Sequence, residues 1–332
     1  MTLTSRFVDV EDARRRLTAV GYLPDTPTAI VAFLADKLER PILVEGPAGV
    51  GKTELARAIA VATGRKLLRL QCYEGLDESR ALYEWDYGKQ LLYTQLLRDR
   101  VNDVVGPGSA GGEGQGDSLD DAVARLQAHH SAFFSQAFLI ERPLLQALRS
   151  EVPCVLLIDE IDKADPELEA LMLELLGEMQ VSIPELGVVT AKTWPLVVLT
   201  SNAARELSEP LRRRCLHLAL TFPDATRELA IVKARLPGID ERLALHVTTA
   251  VGRIRQLDLR KAPSIGETLD WVRALQALGR DVVDEAALRE TLGVLLKHKE
   301  DQLVVMAKRV EVTREPPAAM TAATTGPTTS GT

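Results

Sequence analysis

Eight residues near the start of the chain have the types and spacing to hold a phosphate chain. Gly46–Thr53 reads GPAGVGKT, the pattern G-x-x-x-x-G-K-[ST] of a P-loop. Gly46, Gly49 and Gly51 let the backbone curl so that its N–H groups converge on phosphate oxygens, and Pro47, Ala48 and Val50 complete the loop. Lys52 would neutralise the β- and γ-phosphates and the Thr53 hydroxyl would ligate Mg2+. A helix opening with Lys52, Thr53 and Glu54 would turn its positive end to the anion. Further on, Val155–Glu160 (VLLIDE) is an apolar run that ends in two carboxylates. Asp159 would hold Mg2+ through water, and Glu160 would polarise a water for in-line attack on the γ-phosphate. Thr200–Asn202 (TSN) ends another apolar run, where Asn202 either hydrogen-bonds the γ-phosphate or the attacking water or simply forms a turn. Pro210–Cys215 (PLRRRC) sets three arginines before an apolar segment. Arg214 first, and Arg213 second, are the candidates for a cation that reaches the γ-phosphate on a neighbouring subunit, and the sequence does not separate them from Arg212. Such a role requires a ring or at least a dimer. The other reading of the patch is a solvated surface, or one that binds nucleic-acid phosphates.

These residues need a scaffold that brings distant segments together. Five short runs rich in Val, Ile and Leu read as strands covered on both faces: Pro41–Glu45, Lys66–Gln71, Cys154–Ile158, Pro195–Thr200 and Cys215–Leu220. Helical stretches separate them, which predicts an α/β fold with a parallel five-stranded sheet. The clearest helix is Asp165–Gln180, with Asp165 as N-cap, Pro166 in the first turn, and Leu168, Leu171, Met172, Leu175, Leu176 and Met179 along one core-facing stripe. Asp162–Asp165 (DKAD) has the look of a guanine-specificity box, but it opens this helix and reads as a cap. The α/β pattern fills residues 1–224, interrupted by a Gly-rich insertion at about 104–120. Residues 225–312 carry helical periodicity only and predict a small all-helical C-terminal domain, joined at Thr221–Asp224. Residues 313–332 are rich in Thr, Pro, Ala and Gly and are expected to be disordered.

Composition narrows the classes. In 332 residues there are 40 Lys and Arg against 47 Asp and Glu, a net charge of −7, which argues against a protein that coats nucleic acid. Three widely spaced cysteines make neither a disulfide framework nor a CxxC metal site. The five histidines form no ligand pattern, so Mg2+ is the only metal implied. The N-terminal segment has no apolar signal-peptide core, and no apolar run approaches the length of a membrane span. A cytoplasmic protein is expected.

In order, GPAGVGKT, VLLIDEID, TSN and PLRRRC resemble the Walker A, Walker B, sensor 1 and arginine-finger elements of the AAA+ ATPases. Within that class the chain is similar to the MoxR family, on its short N-terminal lead into Pro41–Glu45, its helix-then-hairpin stretch Glu174–Gly187 and its compact helical lid. Cys72–Tyr93 together with Lys261–Trp271 (KAPSIGETLDW) resembles the MoxR branch associated with maturation of molybdenum-containing carbon monoxide dehydrogenase. The resemblance spans about residues 10–310. It implies a P-loop AAA+ core, ATP and Mg2+, and a hexameric ATP-driven chaperone. Its implied partners are a von Willebrand factor A-domain protein and a metalloenzyme client. It also implies adenine as the base, with Gly21–Leu23 walling the base pocket.

One departure stands out. Where AAA+ lids offer a sensor 2 arginine to the γ-phosphate, this chain aligns Gly266, with Arg260 and Lys261 upstream as the substitutes at hand. Weak coupling of the lid to hydrolysis would leave a low-turnover, ATP-gated binding switch as one alternative. A nucleic-acid motor or clamp loader is another, resting on PLRRRC and on Arg253, Arg255, Arg260 and Lys261. Finally, Cys72–Tyr93 concentrates Tyr73, Tyr83, Trp85, Tyr87 and Tyr93 among acidic residues in a chain that is 4% aromatic. It reads equally as a recognition surface for a protein client or as local packing.

Overall fold

The computed structural model describes residues 6–93, 95, 138–184 and 187–317. The chain opens with two helices, α1 (Val10–Ala19) and α2 (Thr26–Leu38), capped by Asp9 and Asp25. The core follows as β1 (Ile42–Glu45), α3 (Lys52–Thr63), β2 (Lys66–Gln71), α4 (Glu78–Leu82), β3 (Tyr83–Trp85), β4 (Leu139–Glu141), α5 (Pro143–Arg149) and β5 (Cys154–Asp159). It continues with α6 (Pro166–Glu178), β6 (Gln180–Ile183), β7 (Gly187–Thr190), β8 (Leu196–Ser201), α7 (Glu209–Arg214) and β9 (Leu216–Ala219). The five runs read as strands form one parallel sheet in the order β2-β5-β8-β1-β9.

Position in the sheet explains the composition of each strand. The inner strands β5 and β8 are buried at every residue and are almost continuously apolar up to their last positions. Their side chains alternate between two cores: Leu156 and Ile158 pack on one face of the sheet, Val155 and Leu157 on the other. The edge strands β2 and β9 admit polar side chains, notably Arg69, Gln71 and His217. Because all five strands run the same way, the carboxyl ends of β5, β8 and β1 lie side by side, and the loops that follow them share one rim.

Two small antiparallel ribbons extend this core. Residues Tyr83–Trp85 pair with Leu139–Glu141, and Gln180–Ile183 with Gly187–Thr190. The second is the hairpin that the family resemblance implied. The first was not foreseen, and it divides the aromatic segment. Tyr83 is buried and stacks edge-on against Trp85 at 5.5 Å, whereas Tyr73, Tyr87 and Tyr93 are exposed. The expected Gly-rich insertion at 104–120 lies outside the described residues, as does most of the tail, residues 318–332.

Residues 220–224 are irregular, and the chain then turns wholly helical: α8 (Ala225–Arg235), α9 (Glu241–Ile254), α10 (Ile265–Ala277), α11 (Glu285–Leu295), α12 (Lys299–Ala307) and α13 (Arg309–Val312). Asp224, Asp240, Ser264 and Asp284 cap the first four, and Ser264 with Glu267 forms a full capping box. Trp271 is fully buried at the centre, its indole N–H donating to the Thr291 hydroxyl at 2.7 Å. The Arg253 guanidinium donates to the carbonyls of Val312, Arg314 and Glu315, so the helical unit holds the chain slightly beyond its expected end.

Candidate functional site

The glycines of Gly46–Thr53 are required by close approach. A Cβ on Gly46 would come within 2.2 Å of the Leu220 carbonyl oxygen, and one on Gly49 within 2.2 Å of the Ser264 Cβ. Gly51 sits at φ 102° as the N-cap of α3, which few other residues tolerate. The loop therefore wraps tightly between the sheet and the lid, and α3 starts at Lys52 as the spacing predicts.

Lys52 is buried, and its ammonium donates to the carbonyls of Gly46 and Pro47 at 2.7 and 2.8 Å and to Asn202 Oδ1 at 2.8 Å. Burial pulls its pKa below the usual lysine value, against the opposing pull of Asp162, Asp159 and Glu160. The Thr53 hydroxyl donates to Asp159 Oδ1 at 2.9 Å, and the Thr200 hydroxyl donates to the same oxygen at 2.6 Å. Residues that are 106 and 41 positions from Asp159 in sequence thus meet on one carboxylate.

Both inner strands leave the sheet through a left-handed residue, Glu160 at φ 59° and Ala203 at φ 57°. That turn swings the Glu160 carboxylate out of the core and onto three donors. They are Gln71 Nε2 at 2.9 Å, Lys163 Nζ at 2.8 Å and Asn202 Nδ2 at 3.3 Å. Asp162 fixes the neighbouring loop, its Oδ2 accepting from the backbone N–H groups of Asn202 and Ala204. DKAD is therefore an anchor for the loop after β8. Asp165 takes the N-cap position of α6 without a side-chain capping bond and accepts instead from the Gly75 N–H.

The rim opens into a cavity of about 770 Å3 between core and lid. Ala48–Glu54 with Asp159, Glu160 and Asn202 form one wall, Gly21–Leu23 and Thr221–Asp224 another, and Arg227, Arg235, Gly266 and Arg273 the lid side. Arg227 ties the lid to the N-terminal lead through the Leu23 carbonyl and Asp25, and Arg235 pairs with Glu54. The Ile265 N–H donates to the Gly49 carbonyl at 3.2 Å, so the lid touches the loop backbone to backbone.

Several expectations need revision. Neither Arg260 nor Lys261 lines the cavity; their backbone N–H groups are bound to Asp301. Gly266 lies in the first turn of α10, where a Cβ would meet the Ser264 Oγ at 3.8 Å in ordinary contact, and the lid arginines facing the cavity sit elsewhere on α8 and α10. Arg255 is unavailable to any surface cluster: it is buried against Glu228 and stacks on Phe222 at 4.4 Å. Of the three consecutive arginines, Arg212 is bound within its own chain to Glu45, the residue before Gly46, at 2.8 and 3.2 Å. Arg213 and Arg214 are exposed, their side chains bonded among the described residues to Glu209 and the Pro210 carbonyl, and neither lines the cavity of their own chain. Glu54 spends its carboxylate on Arg235.

Sequence reasoning missed Gln71, Lys163, Thr200 and Arg69 as site residues. A signal existed for two of them: polar side chains two apart at the carboxyl end of an edge strand share one face. The three cysteines are buried, which pushes the Cys72 and Cys215 thiols up to about 12, raises Cys154 as well and disfavours the reactive thiolate.

The family model of the ATPase family associated with various cellular activities (AAA) matches residues 42–222, from β1 into the linker before the lid. The chain belongs to the AAA family of ATPases. That family's usual cofactor is ATP with Mg2+, and its members typically assemble into rings. NorQ of Paracoccus denitrificans is 24% identical over 243 residues, 71% of this chain and 72% of NorQ. The chaperone protein ClpB of Leptolyngbya boryana is 29% identical over 195 residues, 58% of this chain and 16% of ClpB. Lon protease of Nitratidesulfovibrio vulgaris is 40% identical over 85 residues, 24% of this chain. The chain matches only 10% of Lon's length. Among solved structures, the Thermotoga maritima RuvB Holliday junction branch migration motor covers 96% of this chain and 82% of its own at 18% identity. Its TM-score is 0.41, too loose for sites to be compared.

The donor set fits the family's cofactor. Among the described residues no cluster of three or more His, Cys, Asp or Glu stands ready for a metal. One carboxylate and one hydroxyl in contact, beside a loop whose Gly46 and Gly49 leave no room for a Cβ, suit an ion that takes its remaining ligands from water and substrate phosphates. No helix among the described residues is long and apolar enough to cross a membrane.

Proposed function

We propose that this chain is the ATP-hydrolysing subunit of a ring-shaped chaperone that remodels or matures a metalloenzyme. The observation that carries the reading is the convergence of Lys52, Thr53, Asp159, Glu160 and Asn202 on one rim of a lid-roofed cavity. The two exposed arginines, Arg213 and Arg214, lie outside that cavity. Lys52 exchanges its carbonyl partners for phosphate oxygens as ATP enters. Thr53 and Asp159 would hold Mg2+, which would supply charge neutralisation to the phosphates. Glu160 takes the proton of the attacking water, and Asn202 positions that water or a γ-phosphate oxygen. Arg213 or Arg214 of a neighbouring copy supplies the cation that the cavity's lid side lacks at Gly266.

The client is the finer part of the reading. Two segments support molybdenum-containing carbon monoxide dehydrogenase with a von Willebrand factor A-domain partner: Cys72–Tyr93 and Lys261–Trp271, by their family resemblance. NorQ, itself MoxR-like, and ClpB, named a chaperone, lie on the same side of the choice. The burial of Arg255 weakens the nucleic-acid alternative. The test is a pull-down from cytoplasm with Glu160→Gln in ATP against Lys52→Ala. Capture of an A-domain protein or molybdoenzyme subunits only by the first variant supports the reading. Capture of DNA or repair proteins overturns it. Gly266 favours a second reading, an ATP-gated switch with little turnover. Single-turnover hydrolysis by the assembled protein separates the two: a first turnover slower than client release leaves only the switch.

A further inference from the structure

Arg69 stands on β2, whose register pairs it with Leu157 and pairs Gln71 with Asp159. Its guanidinium reaches along the edge to donate to Asp159 Oδ2 at 2.6 Å and also to Gln71 Oε1. Asp159 is almost wholly buried, and its carboxylate accepts from Thr53, Thr200 and Arg69. Only the last of these donors carries a charge. Two other cations lie nearby, and both are committed elsewhere: Lys52 to two carbonyls and Asn202, Lys163 to Glu160. A buried carboxylate without a counter-charge is strongly unfavourable, so something positive must sit on Asp159 whenever the metal does not.

We propose that Arg69 is the resident counter-ion of Asp159 and that Mg2+ loads by displacing it. The inference rests on Asp159 being the carboxylate nearest the metal. The two partners differ in a way that decides which one moves. The Asp159 side chain is 3% exposed and pinned by two hydroxyls, whereas the Arg69 side chain is 42% exposed and can swing into water. The contact also has a second end. Arg69 holds Gln71, and Gln71 holds Glu160 Oε2 at 2.9 Å. Arg69 and Gln71 lie on one face of one strand, so release of the guanidinium loosens the amide that restrains Glu160. Metal arrival at one carboxylate is thereby felt at the next, before any chemistry.

The exchange has a measurable cost. A site closed by its own counter-ion in nine molecules of ten binds its metal about tenfold more weakly than an open one. The experiment titrates free Mg2+ against the full-length protein and a fluorescent ADP analogue, reading anisotropy. Arg69→Met keeps the stem and removes the charge. It is expected to lower the half-saturating Mg2+ about five- to twentyfold while lowering the metal-free melting temperature. Arg69→Lys, which keeps the charge with a shorter reach, should fall between the two. An unchanged or raised Mg2+ requirement in Arg69→Met overturns the proposal, because the guanidinium then does not compete with the metal. If Arg69→Met does not fold, Arg69→Lys decides alone: a Mg2+ requirement equal to or above the native one overturns the proposal. Failure of the native chain to bind the analogue at any Mg2+ concentration would instead sink the nucleotide-site reading itself.

Discussion

On the core wall of the cavity, Lys52 and Asp159 are nearly inaccessible and each polar group meets a side chain or carbonyl from another segment. On the lid wall, the arginines are partly exposed and already paired, Arg227 with the N-terminal lead and Arg235 with Glu54, and the first turn of α10 offers Ile265 and Gly266, neither of them charged. The core wall is built from strand ends whose positions the sheet fixes. The lid wall is built from helix surfaces, joined to the core wall by the Ile265–Gly49 backbone hydrogen bond and the Arg235–Glu54 ion pair. Chemistry is placed where the scaffold is stiff. On the proposed reading the lid contributes shape and closure, as an element that opens for nucleotide exchange would.

The largest expected effect is on the core wall. Glu160→Gln should slow hydrolysis about 10²–10⁴-fold with nucleotide binding retained, and Lys52→Ala should weaken binding about a hundredfold. A phosphate-release assay beside equilibrium binding distinguishes them, and normal hydrolysis by Glu160→Gln would remove Glu160 from its role. Next comes the contact between the walls. Gly49→Ala places a Cβ 2.2 Å from that of Ser264 at a φ of 78°, so the lid cannot seat. A loss of about tenfold in nucleotide affinity is expected, of the order of 1–2 kcal/mol, partly restored by Ser264→Gly. Affinity unchanged in Gly49→Ala would show that closure does not need this contact.

A smaller gain is expected on the lid wall. Gly266→Arg places a Cβ without a clash and a cation on the cavity lining, and should raise the single-turnover rate about two- to fivefold. A rate that falls would mean that the lid cation is already supplied, with Arg273 the first residue to replace. The smallest effect concerns the link between Glu45 and the arginine helix. Burial alone would raise the Glu45 pKa, but hydrogen bonds from His217 and Arg212 outweigh it and hold the carboxyl below its usual value. A depressed carboxyl stabilises the fold above the unfolded value and loses that contribution as pH falls through the folded one. Melting temperature should therefore drop below about pH 4.5, by less in Arg212→Ala than in the native protein. Identical slopes would show that the pair is energetically silent.

Much of this architecture was legible beforehand. GPAGVGKT and VLLIDE could be placed because their strands are buried on both faces and so read as unbroken apolar runs. The placement of Lys52, Thr53, Asp159 and Glu160 at or just beyond the ends of those strands followed from the same runs. Gln71, Lys163 and Thr200 did not, since each is an ordinary polar residue until folding brings it within 3 Å of a carboxylate. The expectation for Arg260 and Lys261 failed for a related reason. Closeness to Gly266 along the chain was taken for closeness to the cavity, but the segment before α10 turns away to Asp301.

The sequence by itself determined the succession of elements along the chain: where the phosphate loop starts, which strand ends carry carboxylates, where the sheet stops and the helices begin. These are local properties, set by periodicity, capping and glycine placement. Tertiary structure decided which of three identical arginines is tied down and which are free to reach outward. It decided too that the buried carboxylate holds an arginine in reserve. Those outcomes depend on what lies across the sheet edge and beyond the helix, and charges close in space are set by packing over more than a hundred residues of intervening chain.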